Sequence, residues 1–217
     1  MSRLRLNKIS TPGTPAASKG ELYFSNTLSP ATPAWIDETG KPLRLGGAYT
    51  TGATAAVGGG FAADTYITGC SINIGTAGAW RAGMVYRAVF DMVKTAAGTA
   101  AATIIIRMGT LGTTGDAAIL THTWAAGTAA ADTGVFIVNA EFRSVGSGTA
   151  AVIASLAKCH HHLAATGLVS TGASGFGLLP AASAGFDSTI SNIMGISFNG
   201  GASFSGTNVA SNATLEG

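Results

Sequence analysis

Charged side chains are scarce in this sequence. Asp, Glu, Lys and Arg make up 10% of its 217 residues, where an ordinary soluble domain carries about 25%. The apolar fraction, 47%, is ordinary, so the missing charge is not replaced by extra core. Gly, Ala, Thr and Ser take its place. A monomer normally stays soluble through a charged surface; small neutral residues suit a chain whose faces are covered by neighbours. The net charge of +2 is too small for the clustered basic face of a nucleic-acid-binding protein. The one basic cluster, Arg3, Arg5 and Lys8, lies at the N-terminus, where a phosphate-binding tail is the lesser reading and a solvated or partner-docked arm the expected one.

Cysteine is nearly absent. Cys70 and Cys159 form no C-x-x-C motif, and two thiols cannot complete a zinc site. Both fall in strand-like runs and are expected to be buried thiols, with their pairing left open. No run of about 18 apolar residues exists, so no membrane-spanning helix is expected. The start, Met1 to Asn7, lacks the apolar stretch of a signal peptide, so synthesis in the cytosol without general secretory export is expected.

Proline is rare after the first 50 residues. Pro12, Pro15, Pro30, Pro33 and Pro42 are five of the six. They mark residues 1–50 as an extended N-terminal arm or attachment segment, punctuated by turns. Within it Glu21–Phe24 and Lys41–Leu45 read as short strands, with a turn at Asp37–Gly40. Residues 51–217 form the second unit, in which short apolar runs alternate with Gly/Ala/Thr/Ser loops.

In Val135–Arg143 the alternation is clearest: Phe136, Val138, Ala140 and Phe142 share one face, the period-2 pattern of a half-buried strand. Met84–Val93 places Tyr86, Ala88, Phe90 and Met92 on one face and Arg87 and Asp91 on the other. Ala102–Met108 contains three consecutive isoleucines, which favour a strand. Further strands are expected at Tyr66–Ile74, Ala118–Trp124, Thr149–Cys159 and Asn192–Asn199, and one near Ala202–Val209. The Ala-rich patches Thr95–Ala102 and Trp124–Ala131 carry interrupting glycines and no helical apolar stripe, so they read as wide loops. Strands at this spacing predict an all-β chain with an antiparallel sandwich, jelly-roll-like in form.

Chemistry-bearing motifs are few. In His160-His161-His162, the first and third share a face along a strand and the second points away. His160 and His162 are the only candidates for metal ligation, and they need a third ligand from elsewhere. Asp64, Asp91, Asp116, Asp132 and Asp187 are scattered, and most sit beside Thr, Ser or Gly, where carboxylates fix turns. No Gly-x-Ser-x-Gly elbow is present, Gly146-Ser147-Gly148 reads as a hairpin turn, and Gly58–Gly60 lacks the Lys of a phosphate loop. The expectation is no catalytic site, no cofactor and no enzymatic activity.

Several strings are similar to a family of tailed-bacteriophage and prophage virion structural proteins, of tail-appendage or decoration type. They are Gly20–Phe24, Phe61–Tyr66, Tyr86–Asp91, Lys94–Thr99, Arg107–Thr110, Ala129–Gly134, Phe142–Gly146, His161–Leu168 and Ala184–Thr189. The ending Asn212–Gly217 departs from the apolar terminus expected of such proteins, which puts the last strand in doubt. The resemblance implies a place on the exterior of a phage particle, made in the host bacterial cytoplasm. A tail fibre, appendage or adaptor subunit is the first expectation, and a capsid decoration protein is the alternative. A host-glycan-binding module, using Trp35, Trp80 and Trp124, is the third. Expected partners are copies of the same chain, as a trimer, and other virion proteins; neither nucleic acid nor membrane insertion is expected. Interface candidates are Tyr23, Phe24 and Trp35 in the arm, which bury much area at small entropic cost. Ala100 and Ala129 join them from the small-residue loops, where no side chain keeps a neighbour at a distance.

Overall fold

The computed structural model describes residues 60–75, 77–95, 98–163, 167–171, 175–201, 204 and 206–217, and before them residue 14 and the strand segments 8–9, 21–25, 33–36, 42–44 and 49–53. Among these residues the chain is all-β; the only helical turn is a 3-10 turn at Thr68–Cys70.

Four short strands, β1 (Lys8–Ile9), β2 (Glu21–Ser25), β3 (Pro33–Ile36) and β4 (Pro42–Arg44), make a sheet of their own in the order β1-β2-β3-β4. The first pair is parallel and the others antiparallel. The expected strands at Glu21–Phe24 and Lys41–Leu45 are therefore present, and the expected arm carries a small sheet. The expected turn at Asp37–Gly40 lies outside the described residues.

Two larger sheets pack face to face as a sandwich. The six-stranded sheet has the order β13-β12-β11-β8-β15-β5, from β5 (Tyr49–Ala53), β8 (Val85–Lys94), β11 (Asp132–Ser144), β12 (Val152–His161), β13 (Phe176–Ala182) and β15 (Gly206–Glu216). The five-stranded sheet runs β10-β9-β14-β6, with β7 also on β14, from β6 (Thr65–Tyr66), β7 (Ile72–Asn73), β9 (Thr103–Gly109), β10 (Ala117–Thr123) and β14 (Ile193–Asn199). All ladders in both are antiparallel. The pairs β8–β15, β9–β14 and β11–β12 nest inside one another, like a long hairpin folded over, while β10 and β13 lie in opposite sheets.

Aromatic rings from the two inner faces fill the core. Phe90 of β8 stacks on Phe136 of β11 with centroids 5.3 Å apart, and Phe198 of β14 meets both from the opposite sheet. Trp124 closes one side against Phe136. Trp80 stacks on Phe142 at 5.1 Å and donates its indole N–H to the Ser191 carbonyl. The inward faces predicted for β8 and β11 are the buried ones: Tyr86, Ala88, Phe90, Met92, Phe136, Val138, Ala140 and Phe142.

Besides β1, β3 and β5, which were not expected as strands, three segments differ from expectation. Tyr66–Ile74 is not one strand: β6 and β7 are two residues each, with the 3-10 turn between them. Gly69 lets that turn lie against β15, since a Cβ there would sit 2.0 Å from the Ser211 hydroxyl. The last strand, in doubt from its polar ending, is a long central one: β15 pairs β8 on one side and β5 on the other. Its register slips between Asn208 and Ser211, and buried Asn208 satisfies the bulge by donating to the Asp91 and Ala210 carbonyls. The third segment, β13, was not expected as a strand; it carries Pro180, and since proline lacks the ladder donor it fits an edge strand, which β13 is. The boundary drawn at residue 50 falls inside β5, so the sandwich begins at Tyr49.

Candidate functional site

Asp132, at the start of β11, is the hub of a buried polar network. Its Oδ2 meets His161 Nδ1 at 2.7 Å, and neither side chain is exposed. His161 Nε2 meets Thr171 Oγ1 at 2.7 Å. In the neutral ring Nδ1–H donates to the carboxylate and Nε2 accepts from the hydroxyl. The same carboxylate accepts backbone N–H groups from Thr133, Leu163 and Leu168. Lys94 of β8 donates Nζ to the carbonyls of Thr128 and Gly167. Burial lowers the Lys94 pKa, and the Asp132 charge partly offsets that.

The carboxylate–imidazole–hydroxyl order is that of a charge-relay triad. The surroundings fit a clamp better. A relay must hand a nucleophile to substrate, whereas the Asp132 and His161 side chains are sealed from solvent. Asp132 also spends its remaining acceptor capacity on three amides. The network fastens the segment after β12 onto β8 and β11.

Arg107 of β9 is a second hub. It donates to Ser197 Oγ at 2.8 Å, to the carbonyls of Thr114 and Asp116, and to Asp64 in a salt bridge. Asp116 in turn accepts N–H groups from Thr110, Leu111 and Gly112, closing the β9–β10 turn. Asp187 closes another by accepting from the Thr189 hydroxyl and from the backbone N–H groups of Gly148 and Thr189, and these bonds lower its pKa. The carboxylates expected to fix turns do so at Asp116, Asp132 and Asp187; Asp64 is instead the partner of Arg107.

His160 and His162 are both exposed, while His161 between them is buried. Among the described residues no three His, Cys, Asp or Glu side chains gather as a metal would require. Cys70 and Cys159 are free and buried, and burial pushes both thiols up to about 12. Trp80 and Trp124 are buried, so neither offers a stacking surface to a sugar. Tyr23, Phe24 and Trp35 lie on β2 and β3, where Leu22 stands opposite Trp35 and Tyr23 opposite Ala34; their side chains lie outside the described residues. Ala100 and Ala129 are exposed in loops.

The outward face of the six-stranded sheet is the feature that the expected sites missed. Of the seven exposed large apolar residues among the described residues, four lie on it: Val85 at 39%, Phe176 at 45%, Leu178 at 49% and Val209 at 42%. Between them lie the half-buried Val89, Val93, Val135, Ile137 and Leu156, interleaved with Arg87, Asp91, Lys158 and His160. A shallow groove of about 580 Å³ crosses it, lined by Asp91, Val93, Val135, His160 and Val209 among others. The signal was in the sequence: β8 and β11 are apolar at several outward positions as well as inward ones, as in strands covered on both sides.

Compared with known proteins, the chain matches no family model, no curated protein and no solved structure.

Proposed function

We propose that this chain is a non-enzymatic structural subunit on the exterior of a bacteriophage particle, a tail fibre, tail appendage or adaptor that works by packing against other subunits. The observation that carries the proposal is the apolar outward face of the six-stranded sheet. Exposed apolar residues gathered on one sheet face among polar ones mark protein–protein contacts. The low charge of the chain supports the same conclusion, since its small neutral surface residues suit faces covered by neighbours. Buried carboxylates, histidine and arginine are engaged in holding loops, which supports a structural role over a catalytic one.

Capsid decoration is the alternative, because the same face would serve a clamp between head subunits. Quantitative mass spectrometry of purified particles separates the two: tens of copies on the order of an appendage, hundreds for a decoration protein. Absence of the chain from purified particles would overturn both.

A further inference from the structure

We propose that a second copy of this chain covers the outward face of the six-stranded sheet, about a two-fold axis that passes over Val89 and Ile137. This rests on the chain being an assembly subunit and names the partner of that face.

The face has the size for it. Six strands about 4.8 Å apart, with residues spaced about 3.3 Å along them, present roughly 700 Å², close to the roughly 800 Å² that each partner contributes to a standard interface. Its rows are apolar near the middle. Asn212, Val89, Ile137, Lys158 and Leu178 stand side by side across five strands, and Asp91, Val135, His160 and Phe176 form the next row.

Charge identifies the occupant. Arg87, Arg143 and Lys158 share the face with Asp91, Glu141 and Glu216, three cations against three anions. Among the described residues, the single ion pair within this set is Arg143 with Glu141, 3.2 Å apart and exposed. An acidic or basic partner would call for one dominant sign; interleaved, balanced charge fits the same face turned over. Arg87 and Asp91 lie two residues on either side of Val89 along β8. A two-fold axis across β8 at Val89 lays Arg87 of each copy over Asp91 of the other, so one operation forms two ion pairs. Val89 and Ile137 then meet their own images at the centre, and Lys158, next in the same row, meets its own image too, its long side chain turned toward the rim to keep the two ammonium groups apart.

The test uses the full chain and sedimentation velocity. Wild type is expected to dimerise at about 0.1 mM or below. Ile137→Lys, with far-UV circular dichroism showing an intact fold, is expected to be monomeric there. Arg87→Asp and Asp91→Arg each place like charges against one another and should weaken self-association by about tenfold or more. Mixing these two variants restores opposite charges at both positions and should recover the dimer. These exposed or half-buried positions decide the matter even if Ile137→Lys does not fold. A wild-type monomer at that concentration overturns the inference and leaves the face to a different protein. A dimer that is indifferent to all three substitutions, or a mixture no tighter than its components, overturns it as well. Failure of the broader proposal reads differently: the chain would dimerise through this face yet be missing from particles.

Discussion

His161 Nδ1 lies 2.7 Å from Asp132 Oδ2, with both side chains sealed from water, and this contact joins the end of β12 to the start of β11. Asp132→Ala would leave His161 and the amides of Leu163 and Leu168 without their carboxylate acceptor. Stranding buried donors in this way is expected to cost about 3–5 kcal/mol of unfolding free energy. Asp132→Asn keeps an acceptor oxygen and should cost less. Urea denaturation measures both losses, and faster amide exchange at Leu163 and Leu168 in Asp132→Ala would locate the damage. Equal stability of Asp132→Ala and wild type would remove the clamp role.

His122 of β10 is also buried, with Nε2 3.0 Å from Ser155 Oγ on β12. Burial lowers its pKa from the usual 6.5. The unfolded chain therefore takes up a proton here before the folded one does. The associated stability is present above pH 6.5 and is lost as pH falls through the lower folded value, at up to about 1.4 kcal/mol per pH unit. His122→Gln removes this titration. Its urea midpoint should fall less than that of wild type between pH 7.5 and 5.5; equal falls would show that His122 does not contribute.

Where local pattern alone specifies an element, the sequence shows it. The alternation in β8 and β11 identifies both strands and the buried faces holding Phe90 and Phe136, since period-2 burial depends on neighbours along one strand. β15 was obscured because its inward Asn208 and Ser211 are polar and its register slips; only pairing with β8 and β5 makes it central. The network around Asp132 was obscured for a different reason. His161 is 29 residues away, and spacing along a chain does not reveal which loop folds back. The turn-fixing tendency of Asp132 was legible; its partner was not.

Cys70 and Cys159 are buried, and low polarity around them raises both thiols to about 12. The thiolate is the reactive form, so neither should react with a disulfide reagent at pH 8 while the chain is folded. Two thiols should titrate once guanidinium unfolds it. A native thiol count above zero would show that one site opens locally, and a denatured count of zero would show that the pair is oxidised.

Ala100 and Ala129 are exposed at loops outside the six-stranded sheet. As contacts to further neighbours in a particle, they should tolerate Lys in the isolated chain, with stability within about 0.5 kcal/mol of wild type. Ala100→Lys or Ala129→Lys should reduce incorporation into particles, because a lysine pressed against a neighbour buries an unpaired charge. Particle yield and subunit content measured for each variant test this. Normal incorporation of both would show that these loops face solvent.

The N-terminal segment is expected to carry attachment, and the structure sets where it can be removed. β1 to β4 pair only with one another among the described residues, whereas β5 completes the edge of the six-stranded sheet by pairing Tyr49 with Leu215, Thr50 with Thr214 and Thr51 with Ala213. A cut after residue 48 leaves every ladder of the sandwich intact. A cut after residue 50 strips Tyr49 and Thr50 from β5 and uncovers part of β15. The chain lacking residues 1–48 should therefore unfold cooperatively, and the chain lacking residues 1–50 should be the less stable, by roughly 1–2 kcal/mol for the lost ladder bonds and side-chain contacts. Both should fail to join particles, since each lacks Tyr23, Phe24 and Trp35. Normal incorporation of the chain lacking residues 1–48 would move attachment to the sandwich. Identical stability of the two truncations would mean that the start of β5 contributes nothing to the sheet edge.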